Sequence, residues 1–171
     1  SEERGACPDA EEYGIKERFS NKTAIAPTAS ISIICGGSSP GIEPIAANSY
    51  THKTLSGSFN VRNKYLKKTL QKYKKDTDEI WSSITTNQGS VSHLDFLTAD
   101  EKDTFKTAFE IDQRWIVELG ADRTPHISQA QSINVFVPAD IHKKELHDIH
   151  FQAWKKGLKS LYYCRSKSIQ R

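Results

Sequence analysis

The sequence predicts an α/β fold with parallel strand pairing, and two stretches carry that prediction. The first covers residues 132–163. Residues 132–137 (SINVFV) form a short run rich in β-branched and aromatic side chains, which reads as a strand. Pro138-Ala139-Asp140 breaks it, and Asp140 caps a helix whose Leu146, Ile149, Ala153 and Trp154 share one face. Gly157 closes that helix, and residues 158–163 (LKSLYY) return as a strand. Strands joined by a helical crossover of this length pair in parallel, in an α/β layer or barrel.

The second stretch is residues 22–44 (KTAIAPTASISIICGGSSPGIEP). Thr23-Ala24-Ile25-Ala26 reads as a short buried strand, and Pro27 stops its ladder because it has no N–H to donate. Thr28, Ala29 and Ser30 then open a new element, with hydroxyls suited to capping a helix or gripping an anion. Ile31, Ile33 and Ile34 continue it and Gly36-Gly37 end it. A strand, a turn and a helix start leave several backbone N–H groups pointing one way, which suits phosphate. An ordinary capped helix fits the same letters, and Pro-Thr-Ala-Ser is neither a Walker nor a GxGxxG motif. Spacing by itself names no ligand.

The other elements follow in chain order. Residues 1–21 are charged and loop-like, with a short helix around residues 9–18. Residues 38–41 (SSPG) are a loop, and residues 42–50 are irregular with Pro44 as a breaker. Residues 55–61 alternate as a strand, which Gly57 weakens. From Asn63 the period becomes helical, with Leu66, Leu70 and Tyr73 among lysines, and Thr77 caps a helix through Ile80, Trp81 and Ile84. Residues 87–90 (NQGS) turn the chain. Thr98 and Glu101 make a capping box for a helix that buries Phe105, Phe109 and Ala108. Residues 111–119 carry helix with Trp115 and Leu119 four apart, Gly120 stops it, and residues 123–126 are a loop.

Composition narrows the function classes. The 171 residues fit one domain or part of a larger one. Only 36% are hydrophobic and the mean hydropathy is −0.61, polar for a folded chain yet short of disorder. A net charge of +3 is dispersed, and the lysines of residues 64–75 read as a solvated helix face, so nothing calls for nucleic acid. Cys7, Cys35 and Cys164 are odd in number and far apart, which argues against disulfide scaffolding or a zinc ribbon and fits a reducing cytoplasm. No apolar run approaches membrane-spanning length and no signal peptide opens the chain. The absence of any methionine, the start at Ser1 and the uncapped end at Arg171 lead us to expect a segment of a longer polypeptide.

Few side-chain groups offer chemistry. His147 and His150 share a helix face with Glu145 and Asp148 nearby, but there is no HExxH and His142 lies elsewhere, so no metal site is expected. Asp112, Glu118 and Asp122 read as surface and capping charges. Cys35 has no base placed by spacing. Tyr162 and Tyr163 stand at the end of the second strand of the crossover, where α/β folds place functional groups. A tyrosine loses an electron and a proton together, so an adjacent pair is able to relay a radical. Two aromatics filling core space would look the same.

Taken together, APTASISI, GIEPIAANSYTHKTLSGSF, FKTAFEIDQRWIVELGADRTPHI and HFQAWKKGLKSLYYCRS, in that order, closely resemble the C-terminal part of the large subunit of class I ribonucleotide reductases. The likeness runs from about Gly5 to the last residue. It implies that residues 1–171 are a C-terminal segment of a ten-stranded α/β barrel, completed by an N-terminal portion absent from this chain. It further implies reduction of ribonucleoside diphosphates by a radical mechanism. Pro27, Thr28, Ala29, Ser30 and Ile31 match the loop that binds substrate phosphates, and Tyr162 and Tyr163 match the pair that carries the radical inward. Cys7, Cys35 and Cys164 match none of the catalytic cysteines, which belong to absent sequence, so the isolated chain is expected to be inactive. The implied partners are the upstream large-subunit fragment, a small subunit carrying a metal-based radical cofactor, and a thioredoxin- or glutaredoxin-type reductant acting through the absent cysteines. No cofactor is expected in this chain. Two alternatives remain open: a non-catalytic assembly or phosphate-binding fragment, and a piece of a B12-dependent reductase, against which the adjacent tyrosines argue.

Overall fold

The computed structural model describes residues 2–19, 21–36, 39–55 and 57–167. Ser1, Ser20, Gly37, Ser38, Ser56 and residues 168–171 lie outside the described residues, with the chain end at Arg171 and the second glycine of the Gly36-Gly37 stop among them. In chain order the elements are α1 (Pro8–Glu12), α2 (Ala29–Ile34), β1 (Ser49–Thr54), β2 (Gly57–Arg62), α3 (Lys64–Lys72) and α4 (Asp78–Thr86). They continue with α5 (Ala99–Thr104), α6 (Gln113–Arg123), a 3-10 turn (Thr124–His126), β3 (Val135–Val137), α7 (Lys143–Lys155) and β4 (Cys164–Ser166).

Two apolar clusters hold this together. In the first, Leu66 and Leu70 of α3 meet Trp81 and Ile84 of α4 and the Val91, Leu94, Leu97 and Phe105 side chains of the following loop and helix end. Local chemistry sets both helices: Asn63 accepts from the Tyr65 and Leu66 N–H groups, and Thr77 accepts from Ile80. Asn48, almost fully buried, ties the cluster to the β1–β2 pair. Its amide donates to the Gly89 and Phe105 carbonyls at 3.0 and 2.7 Å, and its oxygen accepts from Asn63 Nδ2 at 2.8 Å. β1 and β2 pair antiparallel with Ser49 opposite Arg62. The sequence reading placed only the second of these strands.

The second cluster is the α/β unit: Val117 of α6, Val135 and Val137 of β3, and Ile149 and Ala153 of α7. β3 and β4 are parallel, Val135 opposite Cys164, as the crossover requires. Further back, Ile25 bridges Gln131 in parallel, the Ser132 N–H donates to Ile25 O at 2.8 Å, and Gln129 donates to Thr23 O at 2.9 Å. Residues 129–137 thus pair in parallel twice, first with Thr23–Ile25 and then with the chain leading into β4.

Several boundaries differ from expectation for identifiable reasons. Gly120 does not stop α6, which runs on to Arg123; it is buried there because an added Cβ would lie 2.7 Å from Ile133 Cδ1. It is a close-approach glycine, not a cap. Trp115, Leu119 and Trp154 face outward, 64, 53 and 73% exposed, because Ile116, Val117 and Ala153 occupy the inner stripes. The capping box of Thr98 and Glu101 is present, but α5 ends at Thr104 and Phe105 packs from its C-cap. His142 rather than Asp140 caps α7, its Nδ1 accepting from the Lys144 N–H. Gly157 closes α7 with φ +79°, as expected. β4 begins at Cys164, later than the LKSLYY run.

Candidate functional site

The helix start at Thr28–Ala29 forms as the sequence predicts. The Thr28 N–H donates to Pro40 O at 3.0 Å, which folds the 39–43 loop back onto it, and Thr28 O accepts from Ser32 at 2.7 Å. The Thr28 side chain makes no capping bond to its own helix. Ala29, Ser30 and Ile31 occupy the first turn, where N–H groups have no intrahelical partner. Ser32 is the buried residue of α2, its Oγ donating to Ala29 O at 2.7 Å, whereas Ile31, Ile33 and Ile34 are exposed. That is the reverse of an ordinary surface helix.

Residues 23–26 do not form the buried strand expected: Ile25 makes a one-residue bridge to Gln131 while Thr23, Ala24 and Ala26 stay exposed, and side-chain bonds rather than a ladder pin the segment. Thr23 Oγ1 and Ser128 Oγ lie 2.9 Å apart, and Ser128 Oγ accepts from both the Lys22 and Thr23 N–H groups at 3.0 Å. Lys159 Nζ donates to the carbonyls of Ile127 and Gln129 at 3.0 and 3.4 Å and to that of Ser128. A cation from the chain just before the tyrosines therefore closes the loop that holds Thr23.

Tyr162 and Tyr163 lie outside β4, in the segment that enters it, and are about half exposed rather than buried. Their ring centroids are 4.2 Å apart at an interplanar angle of 55°. The Arg165 guanidinium lies 5.6 Å from the Tyr163 ring centre. Tyr163 pushes the Tyr162 phenol above its ordinary value, first by hydrogen bonding and then by its charge, with Arg165 opposing. A raised phenol stays protonated at neutral pH, so oxidising it must release a proton as well as an electron.

The Tyr162 N–H donates to Ile133 O at 2.8 Å and the Val135 N–H to Tyr163 O at 2.9 Å. The leftover Tyr163 N–H donates to Asn134 Oδ1 at 3.2 Å, and Asn134 Nδ2 donates to Glu43 Oε1. Glu43 is 5% exposed and its Oε2 has no partner among the described residues. Sequence reasoning passed over Asn134, Glu43 and Lys159. The one available signal was a polar Asn inside the apolar run SINVFV.

The remaining candidates stay apart. His147 stacks on Phe151, centroids 5.8 Å apart, and His150 Nδ1 contacts Leu146 O at 2.8 Å. Asp112 caps α6. The three cysteines are unpaired. Among the described residues no three His, Cys, Asp or Glu side chains gather as a metal site, and no helix is long and apolar enough to cross a membrane.

Residues 6–164 match the family model described as "Ribonucleotide reductase, barrel domain". The chain is 51% identical over 170 residues to the ribonucleoside-diphosphate reductase large subunit of Invertebrate iridescent virus 6, covering 97% of this chain and 18% of that protein. It is 47% identical to the corresponding subunit of Invertebrate iridescent virus 3, covering 97% of this chain and 26% of that one. Among solved structures it superposes with a TM-score of 0.80 and 40% identity on the Actinobacillus ureae class Id ribonucleotide reductase alpha subunit, over 93% of this chain and 28% of that chain. The chain thus spans between 18 and 26% of the length of these two viral relatives.

Proposed function

The chain belongs to the ribonucleotide reductase barrel-domain family, and from that premise we propose that it supplies two parts of a ribonucleoside-diphosphate reductase: the cradle for the substrate's phosphates and the tyrosine step of its radical path. One observation carries the reading. Residues 129–137 hold Thr23–Ile25, which leads into the Pro27–Ile31 turn, and further along they hold Tyr162 and Tyr163. One continuous segment, ending in β3, contacts both features.

In the cradle, Thr28 and Ser30 offer hydroxyls, and the first turn of α2 offers N–H groups and the positive end of its peptide dipoles to an anionic phosphate. Pro27 sets the turn, Ala29 presents main chain without bulk, and Ile31 contributes its first-turn N–H while its side chain faces out. In the relay, a tyrosyl radical on one ring takes a hydrogen atom from the other phenol. One O–H bond breaks, one forms, and an electron and a proton move together. The initial oxidising equivalent comes from a metal-based cofactor on a small-subunit partner. Substrate reduction uses cysteines outside this chain, recharged by a thioredoxin- or glutaredoxin-type protein. The unpaired cysteines here fit the reducing cytoplasm such an enzyme would work in.

Combined with the remaining large-subunit sequence and a small subunit, the chain is expected to support reduction of ribonucleoside diphosphates, whereas alone it is expected to give none. Continued inactivity of a correctly assembled complex would instead mark it as a non-catalytic assembly module. In the active assembly, Thr28→Ala is expected to weaken diphosphate binding about fivefold, on the order of 1 kcal/mol for one hydrogen bond. An unchanged dissociation constant would remove the Thr28 hydroxyl from the cradle.

A further inference from the structure

Two consecutive residues of a regular strand point to opposite faces, yet the Tyr162 and Tyr163 rings lie 4.2 Å apart. The hydrogen bonds explain how. The β3–β4 register sets Val135 opposite Cys164. Continued back by two residues, it would give the Ile133 carbonyl to the Tyr163 N–H. Ile133 O accepts from Tyr162 instead, at 2.8 Å, while Val135 still donates to Tyr163 O at 2.9 Å. One extra residue has been inserted, a bulge, and Tyr163 is left with an N–H that the ladder does not use. Asn134 Oδ1 takes that N–H at 3.2 Å.

The Asn134 amide could face either way, and Glu43 decides which. A carboxylate only accepts, so it claims the NH2 group of Asn134 and turns the amide oxygen toward Tyr163. Glu43 is itself buried, and Ser39 Oγ donates to its carbonyl at 2.6 Å. The same loop's Pro40 carbonyl accepts from Thr28. We propose that Asn134, oriented by Glu43, is a positioning residue of the reductase: it holds the bulge that brings both tyrosine rings to one side.

This rests on the relay reading above, and the test separates the two. Full-length large subunit carrying this segment would be assembled with its small subunit, and 3-fluorotyrosine incorporated at 162 or 163 would report ring environment by fluorine NMR. Asn134→Leu is expected to lower kcat about tenfold or more, as small misplacements of reacting groups do, with KM for the diphosphate unchanged and both fluorine signals shifted. Asn134→Asp sets two carboxylates together and is expected to lose activity similarly. Adding Glu43→Gln to it restores a donor facing an acceptor, leaves an oxygen for the Tyr163 N–H, and is expected to recover kcat and the original signals. This exchange also carries the test should Asn134→Leu fail to fold.

Wild-type kcat in Asn134→Leu, unmoved fluorine signals, or no recovery in the double variant overturns the positioning role. In each of those cases an inactive Tyr163→Phe leaves the relay standing. Full turnover in both Tyr162→Phe and Tyr163→Phe removes the relay and this proposal with it.

Discussion

Replacing either tyrosine of the pair by phenylalanine is expected to reduce diphosphate reduction by at least about 100-fold in the assembled enzyme, with substrate binding retained. Phenylalanine keeps the ring and its packing but has no O–H bond to break, so a hydrogen atom can neither leave nor arrive there. The rings touch through a 4.2 Å centroid separation, so the loss is of chemistry rather than of a contact. Single-turnover assays of diphosphate reduction, paired with equilibrium binding of the diphosphate, separate the two contributions. Activity near wild type in either variant would show that the radical bypasses that position.

The largest stability effect is expected at Trp81. Its side chain is 2% exposed at the centre of the α3–α4 cluster, and its Nε1–H donates to Asp76 Oδ1 at 2.8 Å. Trp81→Ala is expected to destabilise the chain by about 3–5 kcal/mol, from lost apolar burial and the cavity left behind. Denaturant titration measures it, and a loss below about 1 kcal/mol would mean the cluster repacks around the gap. Trp81→Phe separates packing from polarity. The indole donor is the foremost reason Asp76 sits below its ordinary value. A lowered carboxylate stabilises the fold above the ordinary carboxylate range and loses that contribution as pH falls through its lowered value. Trp81→Phe should therefore flatten stability against pH in that acidic window while keeping most of the core. An unchanged acid limb would detach Asp76 from the effect.

Local signals made much of this legible from sequence. Thr77 and the Thr98–Glu101 box announced their helices because capping is decided within three residues, and the apolar period from Asn63 announced α3. The parallel crossover followed from an apolar run, a helical period and Gly157. Tertiary context hid the rest. Trp115, Leu119 and Trp154 satisfied a helical spacing but point outward, since spacing fixes a face and not which face is covered. Gly120 looked like a stop because sequence cannot show Ile133 arriving against it. The tyrosine pair and the Pro27–Ile31 turn were identifiable as letters. Their juxtaposition was not, because it depends on which carbonyl Tyr162 takes, and neither Asn134 nor Glu43 carries a motif.

The double use of residues 129–137 also orders the steps by which the chain acquires its shape. Joining Asn134 to Tyr163 closes a span of 29 residues, whereas joining Thr23 to Ser128 closes one of 105. In a flexible chain the longer closure costs about 1.1 kcal/mol more in entropy. The tyrosine half is therefore favoured to form early, giving an edge on which the Thr23–Ile25 segment is templated late. In refolding followed by hydrogen exchange, the Tyr162 and Val135 amides should gain protection before those of Gln129 and Ser132.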